Sequence, residues 1–152
     1  MADNLQALEE WVQPLIANLS TARRRKLLRT LAVGIRQRQA KRIASQKNPD
    51  GSAYAPRKPR KADKKGRIKR RAALFKEMRK AKHLRIRASA NLASVGYTGR
   101  TARIARIHQE GQLAEVGKGG PLHQYDRREL LGFTPDDRDW IAQTVHDHLG
   151  SQ

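Results

Sequence analysis

Residues 20–51 read STARRRKLLRTLAVGIRQRQAKRIASQKNPDG, and this stretch decides the fold. Leu27, Leu28, Leu31, Ile35 and Ile43, with the small Ala32 and Ala40, recur at helical spacing. Arg23, Arg24, Arg25, Arg29, Arg36 and Arg38 take the opposite face. Ser20 or Thr21 supplies the N-cap, and Asn48-Pro49-Asp50-Gly51 is a turn that ends the run. The reading is one helix of about 25 residues, roughly 37 Å long at about 1.5 Å per residue.

Before this helix, Leu5, Leu8, Trp11, Val12, Leu15, Ile16 and Leu19 also follow helical spacing. Pro14 interrupts them, so the segment is either two short helical pieces or one kinked helix. Beyond the turn, Pro56 and Pro59 forbid a helix, and residues 47–67 read as an extended, mobile basic arm. Residues 70–82 suit a short basic helix with Leu74, Phe75 and Met78 on one side. Leu84 to Ala88 alternates with period two, Leu92 to Tyr97 reads as a second strand, and Ala90-Asn91 turns between them. Ala102 to Gln109 is helical and Gly111 stops it; residues 117–121 read as a flexible glycine loop. Thr134-Pro135-Asp136-Asp137 starts a last helix, with Trp140, Ile141, Val145 and Leu149 as its buried stripe. The fold class is α+β, in one domain over 1–152. Its parts are N-terminal helices including one long helix, a small antiparallel sheet, a C-terminal helix and an extended basic loop.

Charge is concentrated. Residues 57–82 hold 14 Lys or Arg against Asp63 and Glu77, a net +12 of the chain's +19. Such self-repulsion points to a polyanion, with nucleic acid the first candidate. Arg57, Lys58, Arg60, Lys61, Lys64, Lys65, Arg67, Lys69, Arg70 and Arg71 are the candidate phosphate contacts. Tyr54 and Phe75 are the aromatics nearby, too few for base stacking, so the expected contact is with the backbone and without sequence readout. A solvated loop and a site for an acidic protein are the other readings. Leu, Ile, Val and Phe number 30 of 152, which makes a marginal core and oligomerisation the physical expectation.

Little here suggests catalysis. The chain has no cysteine, which excludes disulfides and thiolate metal sites and leaves a reducing cytoplasm allowed. His146 and His148 stand two apart, on different helix faces, and no carboxylate pair joins any of the five histidines at ligand spacing. There is no Gly-x-Ser-x-Gly turn, and Lys118 lacks the Walker spacing. No apolar run reaches the ~20 residues of a membrane span. Asp3, Glu9 and Glu10 break any signal-peptide layout. The expectation is no enzyme, no cofactor, no metal and no membrane. Charge alone points to a small basic nucleic-acid-binding protein, such as a ribosome-associated or nucleoid factor.

Three signatures in order add to this. Residues 42–51 read RIASQKNPDG, followed by Tyr54-Ala55-Pro56-Arg57. Residues 105–111 read ARIHQEG, and residues 127–133 read RRELLGF, with Asp136-Asp137 shortly after. Together, over about Leu5 to Leu149, they resemble the phage virion morphogenesis family. The resemblance implies a structural virion protein without a catalytic residue, which completes the tail and prepares it for the DNA-filled head. It implies a ring homo-oligomer, six-fold to match contractile tails. The implied neighbours are the tail tube or its terminator and head-neck proteins, with non-specific genome DNA contact. Such a protein works in the host cytoplasm during assembly and in the tail or neck of the virion. Under this resemblance Pro49, Asp50 and Gly51 either aim the basic arm or simply end the helix. Gln109 and Gly111 close a helix beside the sheet. Arg127 and Arg128 either bridge acidic residues of a neighbouring subunit or are solvated.

Overall fold

The computed structural model describes residues 2–58 and 73–151. The element order is α1 (Ala2–Ala17), α2 (Thr21–Ala44), β1 (Arg85–Ala88), β2 (Ala93–Gly96), α3 (Gly99–Glu110), β3 (Leu113–Glu115), β4 (Leu122–Gln124) and α4 (Pro135–Gly150). The architecture is α+β. The strands form two separate antiparallel hairpins, β1–β2 and β3–β4. The chain divides into two compact units. The first holds α1, α2 as far as Arg38, the β1–β2 hairpin and α4. The second holds the rest of α2, the described loops up to Leu84, α3, the β3–β4 hairpin and the segment through Gly132.

In the first unit, α1 is one continuous helix with Pro14 in its final turn. There the missing amide removes a single intrahelical bond, to the carbonyl four residues back. Ser20 precedes α2, and its hydroxyl accepts from the Arg23 amide at 3.4 Å. Arg23 and Arg24 in the first turn oppose the helix dipole, so packing rather than local charge stabilises this start. Leu19, Leu27, Leu28 and Leu31 meet Ile141 and Val145 of α4, and Leu8, Val12, Leu15 and Ile16 of α1 close over them. Leu27 and Val145 are fully buried. α4 begins with a reciprocal cap. The Thr134 hydroxyl accepts from the Asp137 amide at 3.0 Å, and the Asp137 carboxylate accepts from the Thr134 amide at 3.0 Å. The same buried carboxylate takes Arg38 Nε at 2.6 Å. The Arg38 guanidinium also lies 5.6 Å from the centre of the Trp140 ring.

The β1–β2 hairpin pairs Ile86 with Val95 and Ala88 with Ala93. Ser89 makes its turn: its hydroxyl accepts from the amides of Asn91 and Leu92 at 3.2 and 3.1 Å. The basic helix expected over 70–82 is a correction. Residues 70–72 lie outside the described residues, and 74–83 run as successive turns. Phe75 sits at φ 61, a left-handed conformation that breaks a helix and that a bulky side chain adopts only under tertiary constraint. The constraint is a second core of Ile43, Tyr54, Ala105 and Leu130, onto which Leu74, Phe75 and Met78 pack. The stretch read as an arm from residue 47 begins with a closed turn. The Asn48 amide donates to Ser52 O at 2.8 Å, the Tyr54 amide to Gln46 O at 2.7 Å, and Lys47 bridges to Ala53. The remainder of the arm, 59–67, lies outside the described residues. The glycine loop read over 117–121 is present, within the 116–121 connection of a β3–β4 hairpin that the sequence reading did not include. Among the described residues no helix is long and apolar enough to cross a membrane.

One position in α2 tests the first core directly. A methyl group on Gly34 would collide with the indole of Trp140. By helix propensity alone Gly34→Ala should stabilise by about 0.5–1 kcal/mol. We expect a loss of about 1–3 kcal/mol instead, as for other overpacked sites. The loss should shrink in a Trp140→Leu background. Denaturant melts of the two single variants and the double variant measure the coupling. A stabilised Gly34→Ala would mean that the indole moves aside freely.

Candidate functional site

Residues 129–132 join β4 to α4 through the second unit without belonging to a strand. Buried amides there need partners, since an unpaired one costs roughly 1–3 kcal/mol. Side chains supply all of them. The Glu129 amide donates to Asn48 Oδ1 at 2.9 Å, and Glu129 O accepts from Arg42 Nη1 at 2.9 Å and from the Tyr54 hydroxyl at 3.0 Å. The amides of Leu130 and Leu131 both donate to Gln109 Oε1, at 2.8 and 3.0 Å. Leu130 O accepts from Arg42 Nη2 at 2.8 Å, and Leu131 O from Gln109 Nε2 at 2.8 Å. Gly132 exchanges two bonds with the Gln39 amide group, at 2.6 and 3.3 Å. Gln39 is itself 2% exposed, and its Oε1 also accepts from Arg42 Nη2 at 2.7 Å. Arg42, Asn48 and Tyr54 come from the first sequence signature, Gln109 from the second and residues 129–132 from the third. The three signatures are the parts of this one lattice.

The beginning of the basic segment is tied to the same region. Arg128 is 5% exposed, and its guanidinium donates to Ala55 O at 2.7 Å and to Pro56 O at 2.9 Å. It also pairs with Asp126 at 3.3 Å. Burial pulls the Arg128 guanidinium below its ordinary value, and the Asp126 carboxylate opposes that shift. Arg57 and Lys58 follow at once and are exposed, with Lys58 Nζ 4.0 Å from Asp126 Oδ1. Arg127 is exposed beside Glu129, at 3.2 Å. The structure thus brings Arg57, Lys58, Arg127 and Arg128 into one unit. Arg60, Lys61, Lys64, Lys65, Arg67, Lys69, Arg70 and Arg71 lie outside the described residues.

Next to Arg128 runs a file of aromatic rings in edge-to-face contact. Tyr54 meets Phe75 at 5.7 Å, Phe75 meets His108 at 4.8 Å, and His108 meets Tyr125 at 5.2 Å between ring centres. Burial, reinforced by the Arg128 charge, pushes the His108 imidazole down to about 4. Its Nδ1 is buried without a partner, while the His108 carbonyl accepts from the Arg128 amide at 2.7 Å. Burial likewise raises the Tyr54 and Tyr97 hydroxyls. Gly111 ends α3 at φ 64, and a Cβ there would stand 3.1 Å from the Arg127 backbone nitrogen. Among the described residues no three His, Asp or Glu side chains gather as metal ligands. The arrangement is a clamp on backbone, with a cationic stretch issuing from it.

A Gln109→Ala variant removes three partners from residues 130–131 at once. We expect it to cost several-fold more than Gln143→Ala, whose side chain bonds Asp147 on an exposed helix face. Each buried group left unpaired should cost roughly 1–3 kcal/mol. Equal midpoint shifts in urea would show that the lattice contributes nothing to stability. His108 adds a dependence on pH. Above its ordinary value of 6.5 it is neutral in both folded and unfolded chains. As pH falls from there toward about 4, the unfolded chain takes up a proton that the folded chain refuses, so stability is lost across that window. His108→Gln should flatten the melting temperature between these limits. An unchanged slope would place the responsible group elsewhere.

Comparison with known proteins adds to this geometry. The model of the phage virion morphogenesis family matches residues 3–150. Tail completion protein S of Escherichia phage P2 is 39% identical over 149 residues, covering 97% of this chain and 98% of that protein. No solved structure matches significantly. A match that runs through the clamp and all three of its signatures assigns the chain: it belongs to the phage virion morphogenesis family.

Proposed function

We propose that this protein completes the phage tail and enables stable joining of tail to head, as a non-enzymatic structural component. It acts as a ring, six-fold in step with a contractile tail, in the neck or tail-top region. It assembles in the host cytoplasm and resides in the virion, against the tail tube or terminator on one side and head-neck proteins on the other. One observation carries the reading: near full-length likeness to a tail completion protein, at 39% identity. The basic segment supports it, because a neck lumen carries DNA and residues 57–82 concentrate a net +12. Its root at Arg57 and Lys58 is fixed through Arg128 on Ala55 and Pro56, so the charge starts from a defined place. Arg127, exposed beside Glu129, is the candidate contact for a neighbouring subunit.

Electron microscopy of particles made without this protein tests the reading. Full heads beside unjoined tails are the expected outcome, and normal virions would overturn it. The DNA arm has its own measurement. Backbone contact is insensitive to base sequence, and log affinity falls with log salt at a slope of about −0.9 per phosphate contacted. Replacing Lys61, Lys64, Lys65 and Arg67 with Gln should flatten that slope by up to ~3–4 units. A shallow slope in the parent would leave the segment to a protein neighbour.

A further inference from the structure

We infer that the outer face of α1 docks into a groove between α3 and β3 on a second copy of this chain. The inference rests on the ring assembly proposed above and names the surfaces that build it.

The donor face is an apolar and acidic stripe on a basic protein. α1 contains Glu9 and Glu10 and no Lys or Arg, in a chain of net charge +19. Its Leu8, Val12, Leu15 and Ile16 are committed to the first core. Ala7, Glu10, Trp11 and Pro14 stand at i, i+3, i+4 and i+7, so they form one stripe, and all four are exposed. Trp11 is 47% exposed. Tryptophan is among the residues enriched in binding hot spots, so an exposed indole is a fit interface anchor.

The acceptor pairs apolar residues with charge of the opposite sign. A groove of about 520 Å³ is lined by Ala102, Arg103, Arg106 and Ile107 of α3 with Leu113 and Ala114 of β3. Leu113 is 59% exposed. Arg103 and Arg106 are exposed, and among the described residues neither has an ion-pair partner. An indole entering this groove would bury its ring against alanine, isoleucine and leucine. Glu10 would meet the two guanidinium groups, and either guanidinium can also lie over the indole face. The two patches differ, so each copy gives one and receives one. Such a head-to-tail contact propagates and yields a ring where the rotation closes.

Mixing two disabled variants tests this. In the full chain, Glu10→Gln with Trp11→Ser removes the donor face without adding charge and leaves the groove. Arg103→Glu with Arg106→Glu reverses the groove and leaves α1. All four positions are exposed, so thermal melts should match the parent. By size exclusion with light scattering, the parent should be a multimer and each variant a monomer of 17.2 kDa. The equimolar mixture should reach twice that mass and stop, because one intact groove receives one intact α1. A variant that assembles like the parent, a mixture that stays monomeric, or a monomeric parent would each overturn the inference. A milder Trp11→Ala chain, which should weaken assembly at least tenfold, covers the case in which a charge reversal fails to fold. Complementation of phage lacking the protein separates the two proposals. A parent-like oligomer from both variants, with tails still completed, removes this interface alone. Failure of the parent chain to complete tails removes the function instead.

Discussion

Four consecutive residues in this protein have no strand to pair with, and every one of their backbone polar groups is met by a side chain. Gln39, Arg42, Asn48, Tyr54 and Gln109 converge on residues 129–132. A sheet would satisfy these groups with a neighbouring strand's backbone, whatever its sequence. Here the satisfaction depends on specific side chains with the reach and donor geometry of amide and guanidinium groups. Leu130 can therefore sit fully buried in the second core with its own amide and carbonyl satisfied. Without the lattice, the same segment would carry unpaired polar groups into an apolar interior.

The rest of the second unit follows from that constraint. Arg42 must lie on the last turn of α2, and the turn at Asn48 must fold back so that its side chain reaches Glu129. Tyr54 closes the same turn and offers its hydroxyl to Glu129 O while its ring meets Phe75. Arg128, next in line, satisfies Ala55 and Pro56 and so sets where the basic stretch departs. Buried arginines hold the backbone, while exposed ones face whatever lies outside.

How much of this could be read from the sequence depends on the range of the interaction. α2 and α4 were legible because periodicity, a cap and a turn are local signals, and α4 shows its capping box atom for atom. The β1–β2 hairpin was legible from alternation, with the turn at the expected place. β3 and β4 are three residues each, too short for alternation to register, and their glycine connection looked like a loop. The turns over 74–83 were read as a helix because composition there favours one, whereas Phe75 obeys a core assembled from distant residues. The lattice itself was hidden. In the sequence Gln39 carries no signal, Arg42 belongs only to the first signature, and Gln109 reads as a helix end. Their partners lie 93, 88 and 21 positions away. The three signatures carry the family resemblance, and the lattice is their physical content.

That long separation bears on how the protein is made. A ribosome delivers Gln39 and Arg42 long before it delivers Leu130 and Gly132, the residues they are built to hold. Until then the guanidinium and amide groups at the end of α2 have only one another, the nearby Lys47 carbonyl and water as partners. The second core therefore closes only after residue 132 has been made, because contacts so distant in sequence require their loop to close first. The first steps of folding belong to local structure, chiefly α2 itself. The second core thus forms in a single late event rather than piece by piece.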